Sequence, residues 1–93
     1  MTPFLENDRA LLLHGSSRYL DLVLPLASID AVVTDPPYEI GFMGRAWDGT
    51  GVAFDPEFWR VILRVLKPGA HLLAFSATRT VHRMACAIED AGF

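Results

Sequence analysis

Short apolar runs alternate with amphipathic segments along the chain, which predicts strands alternating with helices. Residues 10–13, 29–34 and 70–75 are apolar runs bounded by turn residues, as strands buried in a parallel sheet are. A short helix over residues 18–23 follows the first run, with Ser17 as its cap and Pro25 as its stop. Two further helices follow the other two runs.

The second predicted helix has the clearest periodicity. Asp55 suits a helix cap, Pro56 suits the first helical position, and Pro68-Gly69 predicts the end. Apolar residues recur there at helical spacing with charged residues between them: Phe58, Val61, Ile62, Val65 and Leu66 against Glu57, Arg60, Arg64 and Lys67.

The third predicted helix begins after residues 76–80, which offer capping side chains, and Gly92 suits its C-terminal cap. We expect this helix to bury Cys86 as a small apolar side chain. The other residues expected on its buried face are Val81, Met84, Ala85 and Ile88.

The order β-α-β-α-β-α predicts an α/β fold with about three parallel strands and right-handed crossovers. Three strands are about half of a doubly wound, Rossmann-like sheet, whose nucleotide-binding halves come in pairs. We therefore expect residues 1–93 to be part of a larger domain, whose partner is a missing C-terminal half or, through self-association, another copy.

Composition narrows the class of protein further. The chain has 93 residues, of which 52% are hydrophobic and 20% charged, so a disordered chain is excluded. Cys86 is the single cysteine, which excludes a disulfide scaffold, and no apolar run reaches the length of a membrane span. These features predict a cytoplasmic protein with no membrane partner. The net charge of −3 supplies no broad basic surface for phosphates.

Metal binding is not predicted from the histidines. The spacing of His14, His71 and His82 offers no adjacent pair of ligands, and Cys86 has no second cysteine beside it. Structural roles are therefore expected for all four. Arg79, His82 and Arg83 could face phosphates, but in an acidic chain a solvated face is favoured.

The residues with the clearest chemical character follow the second predicted strand, where open α/β sheets bind ligands. Pro36 and Pro37 have no amide hydrogens, and an ionised Asp35 only accepts hydrogen bonds. This array of acceptors suits a group with two N–H donors, such as an exocyclic amine. Tyr38 adds a flat face on which a planar base could stack.

Asp35-Pro36-Pro37-Tyr38 after a β-branched strand resembles motif IV of the DNA amino-methyltransferases. The phage-type branch of that family is also similar at three further places. These are the loop with Gly41-Phe42-Met43-Gly44 and Trp47-Asp48, the passage over residues 65–75, and Thr78-Arg79-Thr80 with His82-Arg83. A motif IV near the N-terminus resembles the circularly permuted class, in which the catalytic half precedes the cofactor half.

The resemblance implies methyl transfer from S-adenosylmethionine to an exocyclic amine of double-stranded DNA, of the kind found in restriction–modification. Asp at the first motif position favours adenine N6 over cytosine N4. Asp35 and the Pro36 carbonyl would hold the amine, and Tyr38 would stack on a flipped base, with Pro37 also in contact with substrate. Trp47 is either a substrate-contacting lid residue or a structural anchor of its loop.

The resemblance implies cofactor contacts at Asp35 and Ser16. Ser16 takes the place of an acidic residue that commonly follows glycine at the end of the preceding strand in the family. The glycine-rich cofactor motif and the target-recognition region have no counterpart in residues 1–93. We therefore expect the S-adenosylmethionine-dependent methyltransferase fold to be partial here, and cofactor binding to be weak or absent.

Two other functions stay open. One is a non-catalytic remnant, or a module that another chain completes. The other is an amino-methyltransferase acting on RNA or on protein amides, but that class usually begins the motif with Asn and carries its cofactor half first.

Overall fold

A computed structural model describes residues 2–39 and 51–93 of the chain. This part of the chain is mixed α/β, with two small sheets. Its strands are β1 (Thr2–Glu6), β2 (Leu11–His14), β3 (Ile29–Thr34) and β4 (Leu66–Ala74). Its α-helices are α1 (Leu20–Val23), α2 (Pro56–Val65) and α3 (Val81–Ala91), and two short 3₁₀ helices cover Ser17–Tyr19 and Val52–Phe54.

The first predicted strand lies in a hairpin, so the expectation of three parallel strands is wrong for the described residues. β2 pairs antiparallel with β1, a strand that the apolar pattern did not predict. The turn between them is closed by Asn7, whose side chain accepts hydrogen bonds of 2.8 Å from the backbone N–H groups of Arg9 and Ala10. Leu11 and Leu12 are 47% and 52% exposed, because the hairpin presents them to solvent rather than to a sheet core.

β3 and β4 form the parallel pair that the sequence predicted. Their carboxyl-terminal halves are in regular register, from Ala31 opposite His71 to Thr34 opposite Ala74. The side chains that alternate toward the helices are half-buried against the core, whose buried members are Ala53, Phe58, Trp59, Ile62, Leu66, Met84, Ala87 and Ala91. The opposite face of the pair is exposed and apolar, with Val33, Leu73 and Phe75 between 56% and 67% accessible.

α2 begins where the sequence predicted and ends earlier. The Asp55 carboxylate accepts a 3.0 Å hydrogen bond from the Glu57 N–H, and Pro56 occupies the first turn. The helix ends at Val65, before Pro68-Gly69, because Leu66 turns to an extended conformation and pairs with Ile29 at the start of β4. A register irregularity follows, in which Gly69 takes the positive φ of 81° that favours glycine.

α3 has its predicted C-terminal cap at Gly92, where φ is 115°. Its buried face differs from the prediction, because the helix turns Met84, Ala87 and Ala91 toward α2. Val81, Ala85 and Cys86 are exposed, and Ile88 is half-buried, so the burial expected for the first three is wrong. At the start of the first 3₁₀ helix, Ser16 rather than Ser17 is the capping residue.

Candidate functional site

The Asp35–Tyr38 segment leaves the carboxyl end of β3, as the sequence predicted. The last strand carbonyl, that of Thr34, accepts a 3.0 Å hydrogen bond from the Phe75 N–H, so the pairing with the neighbouring strand continues to the edge of the segment. Asp35 is exposed and Pro36 is buried, while Pro37 and Tyr38 are half-buried. A carboxylate and an aromatic ring therefore share the edge of a parallel pair.

Asp35 and Tyr38 are in direct contact. The Tyr38 hydroxyl donates a 2.7 Å hydrogen bond to Oδ1 of Asp35. This bond raises the pKa of Tyr38 above its ordinary value of 10.0, and desolvation and the negative charge of Asp35 act in the same direction. The contact places the phenol ring beside the carboxylate, so a group bound at Asp35 would lie close to an aromatic surface.

Thr80, which is distant from the segment in sequence, contacts it directly. Its hydroxyl donates a 2.6 Å hydrogen bond to the backbone carbonyl of Tyr38, across 42 residues of sequence. Thr80 is 9% exposed and directly precedes α3. The backbone at Tyr38 is thus tied to the start of a helix that packs into the core.

Glu39 forms a second link between the segment and the core. It adopts a positive φ of 63°, which is uncommon for a residue other than glycine. Its carboxylate accepts hydrogen bonds from the Gly51 N–H at 2.9 Å and the Ala53 N–H at 3.4 Å. The Ala53 carbonyl in turn accepts a 2.9 Å hydrogen bond from Nε1 of Trp59, which is fully buried in α2.

The other predicted site residues do not join this cluster within the described residues. Ser16 is exposed after the separate hairpin sheet, and its hydroxyl accepts a 3.3 Å hydrogen bond from the Arg18 N–H. The strands do not bring Ser16 and Asp35 to one sheet edge. Trp47 and Asp48, together with the rest of residues 40–50, lie outside the part of the chain that the structure describes.

Several charged side chains away from the segment form surface ion pairs. Arg64 and Lys67 approach Asp21 and Asp30 at 3.0 and 2.7 Å, and Arg60 pairs with Glu57. Arg60 and Arg64 lie on α2 as predicted, whereas Lys67, predicted on the same helix, lies in β4 because α2 ends at Val65. On α3 and just before it, His82, Arg83 and Arg79 are exposed. Over residues 2–39 and 51–93, no group of three side chains is suited to hold a metal ion. None of the helices in these two ranges is long and apolar enough to cross a membrane.

Sequence reasoning missed two residues that hold the segment. The sequence offers Thr80 as one of several capping side chains for the third helix and places it in the Thr78-Arg79-Thr80 part of the resemblance, but it predicts no contact with Tyr38. For Glu39 it predicts no role. Thr80 carried no local signal, because its partner is distant in sequence. Glu39 precedes a glycine-rich stretch. A carboxylate at that position could have been predicted to accept hydrogen bonds from the backbone N–H groups that follow the stretch.

Comparisons with known proteins do not identify the chain. No protein-family model, no curated protein and no solved structure matches it.

Proposed function

We propose that this chain carries the amine-binding part of an S-adenosylmethionine-dependent DNA amino-methyltransferase, with adenine N6 favoured over cytosine N4. The observation that carries the proposal is the contact between Asp35 and Tyr38 at the end of a parallel strand. It unites, in four residues, an acceptor for an amine and a ring for a base. A partial Rossmann-like fold is part of this proposal.

The acceptors of the segment suit an exocyclic amine. Oδ1 of Asp35 receives the Tyr38 hydroxyl, and Oδ2 is the second acceptor of the same exposed carboxylate. In the proposed complex, Oδ2 and the Pro36 carbonyl accept the two N–H bonds of the amine. Two acceptors on those hydrogens draw the nitrogen lone pair out of conjugation with the ring and leave it as a nucleophile.

Tyr38 would bind the base that bears the amine. Base-to-aromatic stacking contributes about 1–3 kcal/mol per base, so one ring contributes substantially to holding a base outside the duplex. The hydrogen bond to Asp35 restrains the direction of the Tyr38 ring. The amine and the ring plane of the base would therefore be positioned by one short segment of chain.

The described residues fit the amine better than they fit the cofactor. When bound, S-adenosylmethionine supplies a methyl group on a positively charged sulfur. Ser16, where a cofactor contact is expected, follows the hairpin sheet, whereas Asp35 follows the parallel pair, and the Ser16 hydroxyl already caps a 3₁₀ helix. We therefore assign to these residues the recognition of the amine and the base, and no step that involves the cofactor.

A second candidate function is a non-catalytic module that further protein structure completes. The exposed outer face of β3 and β4 favours it, because parallel strands are normally covered on both faces. Three large apolar side chains lie on that face, with 67% of Val33, 56% of Leu73 and 58% of Phe75 accessible. This hypothesis predicts a protein that binds a partner over the exposed face of β3 and β4 and transfers no methyl group by itself.

Transfer of labelled methyl to unmethylated duplex DNA tests the proposal, with S-adenosylmethionine at high concentration because its binding is expected to be weak. Mass analysis of the nucleosides distinguishes N6-methyladenine from N4-methylcytosine. Asp35→Ala should lower the rate roughly 100-fold or more, the usual loss when a transition-state contact is removed. Asp30→Asn is the control, because Asp30 is an exposed carboxylate on β3, the strand that Asp35 follows, and it pairs with Lys67.

The outcomes separate the candidates. Methyl transfer that Asp35→Ala abolishes and Asp30→Asn retains would support the methyltransferase. Undiminished transfer by Asp35→Ala would refute the role of Asp35. If the intact chain transfers no methyl to DNA of varied sequence, including substrates with mismatched bases that flip easily, the non-catalytic module is the better reading.

A further inference from the structure

We propose that Thr80 is a positioning residue for Tyr38, and that its hydroxyl sets where the Tyr38 ring lies by holding the Tyr38 carbonyl. The base-stacking part of this inference rests on the proposed function. The positioning itself rests on the 2.6 Å hydrogen bond between Oγ1 of Thr80 and that carbonyl. Thr80 is 9% exposed, so solvent competes little for the bond.

The hydroxyl of Thr80 does not cap the helix that follows it. Threonine before a helix commonly accepts a hydrogen bond from a backbone N–H of the first turn. Thr80 is the N-terminal cap of α3, but its side chain makes no such bond. Backbone carbonyls serve the helix start instead, with the Val81 N–H donating to Ala77 and the Arg83 N–H donating to Thr80. The side chain therefore serves the Tyr38 segment rather than the helix.

The Tyr38 segment needs such a contact because of its composition. Pro36 and Pro37 lack N–H groups, so the segment has few backbone donors with which to stabilise its own turn. The strand before it ends at Thr34, whose carbonyl still pairs with the Phe75 N–H. A donor that reaches the Tyr38 carbonyl from outside the segment fixes the backbone at the residue that carries the ring.

α3 provides a rigid support for this contact. One turn after Thr80, Met84 is 2% exposed, and Ala87 at 4% follows on the same face. Both belong to the core cluster that includes Trp59 of α2. A displacement of Tyr38 relative to Thr80 would therefore have to break the hydrogen bond or disturb the packing of two helices.

The experiment follows Tyr38 directly. Tyr19 and Tyr38 are the two tyrosines of the chain, so Tyr19→Phe leaves Tyr38 as the single tyrosine. In that background, NMR of ring-labelled tyrosine is recorded from neutral to alkaline pH for Thr80→Val, Thr80→Ser and Thr78→Val. Valine keeps the shape of threonine without the hydroxyl, serine keeps the hydroxyl, and Thr78 is an exposed matched control. Asp35→Ala gives the reference signal for a Tyr38 hydroxyl that has lost its acceptor.

Thr80→Val should shift the neutral-pH signal of Tyr38 toward that reference and lower its ionisation midpoint toward the ordinary 10.0. Thr80→Ser and Thr78→Val should keep both parental values. A Thr80→Val signal equal to the parent would overturn the proposal. Circular dichroism of each sample shows whether the variant is folded, and the neutral-pH signal decides the question if Thr80→Val unfolds at high pH.

Methyl transfer provides the second measurement and separates this inference from the proposed function. If the chain is active, Thr80→Val should raise the KM for DNA roughly tenfold, as expected for the loss of one stacking contact, and Thr80→Ser should restore it. A shifted Tyr38 signal in a chain that transfers no methyl supports the positioning role and counts against the methyltransferase. Loss of transfer with an unmoved Tyr38 signal overturns the positioning role alone.

Discussion

Replacement of Glu39 tests how the candidate site is anchored to the core. Its carboxylate accepts hydrogen bonds from the backbone N–H groups of Gly51 and Ala53, at 2.9 and 3.4 Å. The carboxylate is part-buried, and Ala53 is completely buried. Glu39→Ala leaves both donors without these acceptors, and it loosens the first residue after Tyr38.

The size of the effect follows from those two contacts. A hydrogen bond to a charged group contributes about 1.5–3 kcal/mol, and the longer bond to Ala53 contributes less. We expect Glu39→Ala to lower the free energy of unfolding by about 2–3 kcal/mol. A chain of this length has a free energy of unfolding of about 5–14 kcal/mol, so the loss is a large fraction of it. Each kilocalorie corresponds to roughly 4–8 °C in Tm.

Two further variants separate the hydrogen bonds from the backbone conformation. Glu39→Gly also removes the carboxylate, but glycine accepts the φ of 63° without strain, so it should be about 1 kcal/mol more stable than Glu39→Ala. Glu39→Gln keeps one side-chain oxygen and should lose about 1 kcal/mol relative to the parent. The free energy of unfolding should therefore decrease in the order parent, Glu39→Gln, Glu39→Gly, Glu39→Ala.

Urea unfolding followed by tryptophan fluorescence measures this series. Trp47→Phe leaves Trp59, which is buried and bonded to Ala53, as the single reporter. A loss below about 0.5 kcal/mol in Glu39→Ala would refute the anchoring role of the carboxylate. Glycine and alanine variants of equal stability would refute the argument from the backbone conformation.

Two other predictions concern the pH dependence of stability and the exposed face of β3 and β4. Because the hydrogen bond to Asp35 raises the pKa of Tyr38, neutral Tyr38 stabilises the fold below about pH 10, and this contribution is lost as the pH rises through the folded-state value. The unfolding free energy of the parent should thus fall more steeply above pH 10 than that of Tyr38→Phe, and parallel curves would contradict this. Leu73→Lys and Phe75→Lys should each reduce binding of a hydrophobic dye without unfolding the protein, since 56% and 58% of these side chains are exposed. The same change at Val65, which is 1% exposed, should unfold it, and unchanged dye binding by both surface variants would contradict the reasoning.

The elements with strong local signals were predicted well. Asp55-Pro56 begins α2, residues 29–34 form β3, and Gly92 ends α3 with a positive φ. In each case the information lies in neighbouring residues, through a capping carboxylate, β-branched side chains or the freedom of glycine. These signals act over a few residues and do not depend on the rest of the fold.

The errors arose where pairing or helix rotation decided the outcome. The apolar run at β2 looked like a buried parallel strand, but Asn7 closes a turn that pairs it with β1. Cys86 fits an apolar pattern on α3, yet the contact with α2 turns the Met84 face inward and leaves Cys86 exposed. Periodicity shows that a helix has an apolar side, but its packing partner selects the residues at the margin of that side.

For the candidate site, the local sequence was enough to predict the kinds of chemical groups and their position after a strand. An acidic residue, two prolines and an aromatic residue after a strand specify acceptors, few donors and a flat surface, whatever the surrounding fold. How these groups are held depends on packing between distant parts of the chain. Thr80 reaches Tyr38 from 42 residues away, and Glu39 reaches Gly51 and Ala53 from 12 and 14 residues away. Such contacts depend on distances that only packing creates, because a hydrogen bond needs its donor and acceptor close together in space and sequence separation does not encode that distance.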